Sequence, residues 1–152
     1  MRITILAVGR LRQGPEQDLF DIYKRRLPWS LEVKEIDERR IRDDTKRRRQ
    51  ETVKLTAAIP PGAVTVALDE RGRTLSSAKF AATLDDWRSA GRQTVAFLIG
   101  GADGLDRELT DNADLVLALG PMTWPHQMVR AMVAEQIYRA YTILTGHPYH
   151  RA

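Results

Sequence analysis

Apolar segments of strand length alternate with amphipathic segments along the chain. Residues 3–8 (ITILAV) are apolar throughout and end at Gly9, a pattern typical of a strand that is buried on both faces. Residues 31–36 alternate apolar and charged side chains, which predicts a strand with one exposed face. Three more apolar runs predict further strands at 64–68, 94–99 and 115–119.

Helical spacing and helix-ending residues mark the segments between these strands. Pro15 begins an amphipathic stretch that Pro28 ends, and residues 43–58 form a charged stretch with Val53 and Leu55 on its inner side. The other predicted helices run from the N-cap Ser76 to the C-cap Gly91, over 105–113, and from His126 to Gly146.

Strands that alternate with helices indicate an α/β fold with a mostly parallel sheet flanked by helices. Because the chain has 152 residues and no linker or repeat, we expect a single domain over residues 1–152. Parallel sheets bind ligands at the carboxyl ends of their strands. The loops after Val8, Leu68, Ile99 and Leu119 are therefore the first places to expect a site.

Composition limits the chemistry that is available. Hydrophobic residues make up 43% of the chain and charged residues 29%, as in an ordinary globular domain. Cys is absent, which excludes disulfides, cysteine-ligated metals and a thiol nucleophile. The N-terminal apolar run of about seven residues is too short for a signal peptide or a membrane span. We expect a cytoplasmic protein without membrane contact.

Positive charge is concentrated in one segment. The net charge is +4, and a basic segment at 39–49 contains Arg39, Arg40, Arg42, Lys46, Arg47, Arg48 and Arg49. A polyanionic partner such as RNA is one interpretation. The other is a solvated helix face, because five acidic residues interleave with these bases at helical spacing: Asp37, Glu38, Asp43, Asp44 and Glu51.

Two common nucleotide-binding motifs are absent. Residues 9–14 (GRLRQG) have the glycine spacing of a P-loop, but Pro15 and Glu16 stand where Lys and Ser or Thr are required. The G-x-G-x-x-G fingerprint does not follow the first strand. A nucleoside triphosphatase is not supported, and an ordinary dinucleotide site is not expected.

Two loops at strand ends have the composition to hold a ligand. Residues 100–104 (GGADG) follow a strand and precede a helix, where glycines let main-chain amides approach a ligand, although a tight turn is the more common use. Residues 119–126 (LGPMTWPH) form a stiff, partly apolar loop that suits an adenine. Simple cover of the core is the alternative for Met122 and Trp124.

The three histidines do not indicate a metal site. His147 and His150 are close in sequence but lack carboxylate or Cys companions, so we expect no metal. A terminal HPYHR segment is usually frayed. It also offers a base, a stacking ring and a cation to an RNA target.

Five motifs occur in a specific order: AVGR at 7–10, LDERGR at 68–73, FLIGGADG at 97–104, PHQMVRAMVAEQIYRAY at 125–141 and the terminal HPYHRA. Over essentially the whole chain, their order and spacing resemble the ribosomal RNA large subunit methyltransferase H family of the SPOUT superfamily. The resemblance implies a SPOUT fold with a C-terminal trefoil knot. It also implies a homodimer that packs through the final helix and shares the active site between subunits.

The resemblance further implies S-adenosylmethionine (SAM) as the cofactor. Family members often have LDxxGK where this chain has Arg73, which keeps the charge but not a titratable amine. Matched motif by motif, the residues expected to hold SAM are Leu68, Gly100, Leu119, Gly120, Pro121, Met122, Thr123 and Trp124.

The implied reaction is methyl transfer to N3 of a pseudouridine in 23S rRNA, within the assembled ribosome. The imide nitrogen must lose its proton, so a general base or a cation that stabilises the anion is needed. We expect Tyr149 to stack on or hydrogen-bond the base and His150 to accept the proton. Either Arg151 or Arg130 is expected to stabilise the developing negative charge.

Two other functions remain open from the sequence. One is a SPOUT methyltransferase that acts on tRNA or on a ribose hydroxyl. The other is a non-catalytic ribosome-binding protein, which basic charge and small size alone would support. SAM binding would distinguish a methyltransferase from the non-catalytic ribosome-binding protein. Mapping of the modified base would then distinguish the rRNA methyltransferase from the alternative methyltransferase.

Overall fold

The five predicted strands are present in the computed structural model, which describes residues 1–151. They are β1 (Arg2–Val8), β2 (Ser30–Ile36), β3 (Val64–Thr74), β4 (Thr94–Ile99) and β5 (Leu115–Ala118). All pair in parallel, in the order β2-β1-β4-β3-β5. Since β1 lies inside the sheet, between β2 and β4, its residues 3–8 are buried on both faces, as their unbroken apolar run predicts.

Five helices cover the two faces of the sheet. They are α1 (Pro15–Arg26), α2 (Asp44–Ala58), α3 (Ser77–Ser89), α4 (Arg107–Asp111) and α5 (His126–Thr145). One face carries α5, which packs against both α1 and α3, and the other carries α2 and α4. Each face has its own hydrophobic cluster, so the central strands lie between two apolar layers.

The third strand is longer than its apolar run. It continues past Leu68 to Thr74 through a register shift against β5 between Leu68 and Arg73. A Cβ at Gly72 would lie 2.7 Å from the main-chain carbon of Val116, so only glycine permits this close approach. The irregularity brings residues 69–73 to the carboxyl edge of the sheet.

The inner side of α2 differs by one residue from the prediction. Leu55 is buried as expected, but Val53 is 55% exposed and Thr52 takes the buried position beside Leu55. Thr52 satisfies its hydroxyl by donating to the carbonyl oxygen of Arg48, 2.9 Å away. A polar residue can therefore occupy this inner position without an unpaired group.

Within residues 1–151, no helix is long and apolar enough to cross a membrane. The trefoil knot and the extent of the single domain stay predictions, and Ala152 lies outside the described residues.

Candidate functional site

The irregular end of β3 and the loops after β4 and β5 meet at one edge of the sheet and surround a cavity of about 910 Å³, here called the strand-end cavity. They converge because these three strands are neighbours and run in the same direction. Seven of the eight residues expected to hold SAM line this cavity: Leu68, Gly100, Leu119, Gly120, Met122, Thr123 and Trp124. Pro121 belongs to the same loop but is not part of the lining.

The β4–α4 loop, residues 100–106, forms one wall of the strand-end cavity as a tight turn. Gly104 has φ +71° and donates its N–H to the carbonyl oxygen of Gly101 at 3.0 Å. A Cβ at Gly100 would lie 2.4 Å from the main-chain carbon of Gly104, closer than real side chains come. The expected turn and the expected ligand loop are therefore the same feature, and glycine is needed for both.

The opposite wall is the β5–α5 loop, residues 119–125. The Thr123 hydroxyl donates to Glu70 Oε2 at 3.0 Å and so ties this loop to the irregular part of β3. Met122 is 70% exposed and Trp124 is 40% exposed. These two side chains are too exposed to be core cover, so they form an apolar rim to the strand-end cavity.

His126 is a cavity residue that the sequence reasoning passed over. It is the first residue of α5 and lines the strand-end cavity. Burial, followed by the charges of Arg130 and Arg12, lowers the pKa of His126, so the folded protein favours its neutral form. It is the last residue of the predicted loop 119–126, and that position was the available signal.

Arg130 is buried, with an exposed fraction of 0%. Its Nη1 donates to Glu35 Oε1 at 2.6 Å, and its Nη2 donates to the carbonyl oxygens of Val8 at 3.2 Å and Gly9 at 2.6 Å. These bonds tie α5 to the carboxyl ends of β1 and β2. The expectation that Arg130 stabilises charge on the substrate does not fit this position, because its outer nitrogens are already occupied inside the protein.

Tyr149 packs back onto the helices of its own chain. Its hydroxyl lies 3.0 Å from Glu135 Oε1 and 3.2 Å from the Tyr23 hydroxyl. Its ring centroid is 4.8 Å from that of Tyr138, and the Arg139 guanidinium carbon lies 4.9 Å from it. Burial, and then the bonds to Tyr23 and Glu135, raise the pKa of the Tyr149 phenol.

The other two tail residues have fewer contacts. His150 is half-buried, and its Nδ1 is enclosed without a hydrogen-bond partner among residues 1–151. Arg151 is exposed. Neither these residues nor Tyr149 line the strand-end cavity of the same chain. The structure therefore does not bring the expected catalytic residues to the expected cofactor residues within one chain.

In the basic segment 39–49, some side chains are bonded to other residues of the chain and others are exposed without an ion-pair partner among residues 1–151. Arg39 is bonded to Asp37 at 2.7 Å and lowers the pKa of that carboxyl to about 2. Arg47 and Arg48 reach the β4–α4 loop. The remaining bases that are exposed and form no ion pair with residues 1–151 are Arg40, Arg42, Lys46 and Arg49.

Among residues 1–151 there is no group of three or more metal-ligating side chains.

Comparison with known proteins identifies the family. A family model described as "Predicted SPOUT methyltransferase" matches residues 1–150. A protein named "Ribosomal RNA large subunit methyltransferase H" from Rhodospirillum centenum is 55% identical over 152 residues, 100% of both chains. The protein of that name from Paramagnetospirillum magneticum is 53% identical over 99% of each chain. The chain belongs to the ribosomal RNA large subunit methyltransferase H family. The resemblance seen in the sequence motifs is confirmed.

Two solved structures share the fold of this SPOUT methyltransferase at low sequence identity. A methylase family protein from Haemophilus influenzae Rd KW20 aligns with a TM-score of 0.56 and 12% identity, over 99% of this chain and 70% of its own. A methyltransferase from Legionella pneumophila, solved with bound SAM, aligns with a TM-score of 0.52 and 15% identity, over 92% of this chain and 66% of its own. The SPOUT-type α/β fold is thereby confirmed.

Proposed function

We propose that the protein uses SAM to methylate N3 of a pseudouridine in the 23S rRNA of the assembled ribosome, in the cytoplasm. The observation that carries the proposal is the convergence of the three motif loops on one cavity, in a chain of this family. The name shared by its relatives refers to ribosomal RNA of the large subunit.

The strand-end cavity suits SAM in size and lining. Its volume of about 910 Å³ is in the range of sites for ligands of this size. Its wall contains Gly100, where a side chain would collide with the turn, so main-chain groups can approach a ligand there. Apolar surface for an adenine comes from Leu68, Met122 and Trp124. Pro121 would contribute by stiffening the loop rather than by contact.

The active site is proposed to form between the subunits of a homodimer. Tyr149, His150 and Arg151 do not line the cavity of their own chain, which supports a site that the tail of a second chain completes. A second, largely apolar cavity of about 510 Å³ lies between α1, α3 and α5, and its lining includes Leu19, which is 43% exposed. An exposed apolar surface beside α5 is what a dimer contact through that helix requires.

Each tail residue has a proposed part in the chemistry. When bound, SAM supplies a methyl group on a positively charged sulfur. Tyr149 orients the base by stacking, His150 accepts the N3 proton, and Arg151 stabilises the negative charge left on the imide. The enclosed Nδ1 of His150 lacks a partner within the described chain, so this ring is not committed to another bond through that atom.

Three of the four exposed bases of the basic segment are proposed to contact rRNA phosphates. Arg40 and Arg42 follow the carboxyl end of β2, and Lys46 lies in the first turn of α2. All three are therefore at the edge of the sheet that holds the strand-end cavity. Neutralising phosphates there would hold the target beside the cavity, without reading its sequence.

Transfer of labelled methyl from SAM tests the proposal. The substrates are unmodified intact ribosomes, free large-subunit rRNA and tRNA, followed by mapping of any modified base. We expect incorporation into ribosomes at one pseudouridine. Incorporation into tRNA or at a ribose would support methyltransferase activity but contradict the proposed target. A dimer that binds no SAM would favour a non-catalytic ribosome-binding protein.

Single substitutions in the tail test the assigned parts. We expect Tyr149→Phe to lose less activity than Tyr149→Ala, since stacking on an aromatic ring is worth about 1–3 kcal/mol per base. Equal losses would instead assign the role to the hydroxyl. Full turnover by His150→Ala, with unchanged SAM affinity, would exclude His150 as the base.

A further inference from the structure

The β4–α4 loop is held by two arginines of α2. Arg47 Nη2 donates to Asp103 Oδ2 at 3.3 Å, and Arg48 Nη2 donates to the carbonyl oxygen of Leu105 at 2.7 Å. The partners are 56 and 57 residues apart in sequence, so the contacts depend on the tertiary structure. One contact is at Asp103, in the exposed tip of the loop, and the other is at Leu105, directly after the tip.

Arg48 occupies a costly position. It lines the strand-end cavity, yet its Nε is buried and has no hydrogen-bond partner within residues 1–151. The nearest carboxylate oxygen with which it pairs, Asp106 Oδ2, is 4.0 Å away. An unsatisfied buried donor reduces stability. A role at the cavity therefore explains this guanidinium better than a contribution to stability does.

Arg47 is anchored more firmly by residues close to it in the sequence. Its Nη2 also donates to Asp44 at 2.7 Å, and its Nη1 donates to the carbonyl oxygen of Ile41 at 3.3 Å. Its side chain is 25% exposed, against 56% for Asp103. The hydrogen bond from Arg47 to the loop is thus longer and more exposed to solvent than that from Arg48. We expect it to contribute less to holding the loop.

We propose that Arg47 and Arg48 are positioning residues that keep the β4–α4 loop in the conformation that binds SAM. The inference rests on the proposed function for the cofactor but not for the RNA. The loop also has its own short bridge between Gly101 and Gly104, and Leu105 is buried at its end. If the loss of Arg48 left about a tenth of the molecules with a competent loop, the apparent Kd for SAM would rise about tenfold.

Calorimetric titration with SAM measures the first consequence. We expect binding about tenfold weaker for Arg48→Ala, a smaller loss for Arg47→Ala, and wild-type affinity for the control Arg49→Ala. Arg49 is also an exposed arginine of α2, but it makes no hydrogen bond to the loop. Arg48→Lys, which keeps one charged donor near Leu105, is expected to recover part of the affinity and provides a milder variant if Ala impairs folding.

Hydrogen exchange of the free protein measures the second consequence and does not depend on SAM. Amides of residues 101–105 are expected to exchange faster in Arg48→Ala than in Arg49→Ala, while those of β1 and α5 keep their wild-type rates. Unchanged SAM affinity in Arg48→Ala, or an equal loss in Arg49→Ala, overturns the proposal. If the wild-type protein binds no SAM, the proposed function fails as well, and loop exchange still shows whether α2 holds the loop.

Discussion

Replacement of Arg130 by Met tests whether this buried charge stabilises the fold by joining α5 to the carboxyl ends of β1 and β2. The change removes a fully buried charge and three hydrogen bonds, to Glu35, Val8 and Gly9. Removing one partner of a buried pair costs about 3–5 kcal/mol. The Glu35 side chain is 34% exposed, and in the variant its carboxylate would still accept the hydrogen bond from the Leu11 N–H, which is 2.6 Å long. We therefore expect a loss near the lower limit, about 3 kcal/mol.

Urea unfolding followed by far-ultraviolet circular dichroism measures this free energy. Protein concentration must be fixed, because the stability of a dimer depends on it. Arg88→Met is the matched control, since Arg88 pairs with Asp85 at 2.5 Å on an open surface, where the side chains are 47% and 37% exposed. That pair should contribute less than about 1 kcal/mol. If Arg130→Met lowers the free energy of unfolding no more than the control does, Arg130 is not a stabilising buried charge.

Three further predictions concern the cavity and its rim. Gly100→Ala places a Cβ against the turn and should weaken SAM binding about tenfold in a calorimetric titration, since overpacking costs about 1–3 kcal/mol; unchanged binding would mean that the loop is not a rigid wall. Because the pKa of His126 is lowered in the folded protein, the unfolded chain binds the proton first as the pH falls. The neutral His126 ring therefore contributes to stability above the ordinary His pKa of about 6.5, and this contribution is lost as the pH falls below that value. In urea unfolding His126→Gln should therefore lose less stability than the wild type between about pH 7 and pH 5, and identical pH dependence would contradict a neutral, half-buried ring. The third change reverses three exposed charges together: Arg40→Glu, Arg42→Glu and Lys46→Glu. In co-sedimentation with ribosomes it should weaken binding and reduce the slope of log affinity against log salt by about three. Unchanged binding would favour a solvated helix face.

The elements were predictable because their signals are local. A strand buried on both faces must be apolar throughout, and residues 3–8 are. A helix that ends in the left-handed region favours glycine, and Gly146 has φ +69° after α5. Thr52 and Val53 show the limit of this reasoning, since a polar residue with an internal hydrogen bond can replace an apolar one on the inner side.

The walls of the candidate site were also predictable. Glycine and proline restrict the chain locally, and parallel sheets bring ligand loops to one edge. Residues 100–104 and 119–124 could therefore be named before their mutual distance was known. The cofactor and the reaction came from the family resemblance, since no spacing of residues in this chain specifies a methyl donor.

Local sequence patterns were enough to predict the strands, the helices and the loops around the site. The strand order, the buried partners of Arg130 and the attachment of Arg48 to Leu105 became known only from the folded chain. It also showed that Tyr149 packs on the helices of its own chain, away from the strand-end cavity. The physical reason is range. Backbone preferences and burial patterns act over a few residues, whereas the partner of a buried charge depends on which distant segments the sheet brings together.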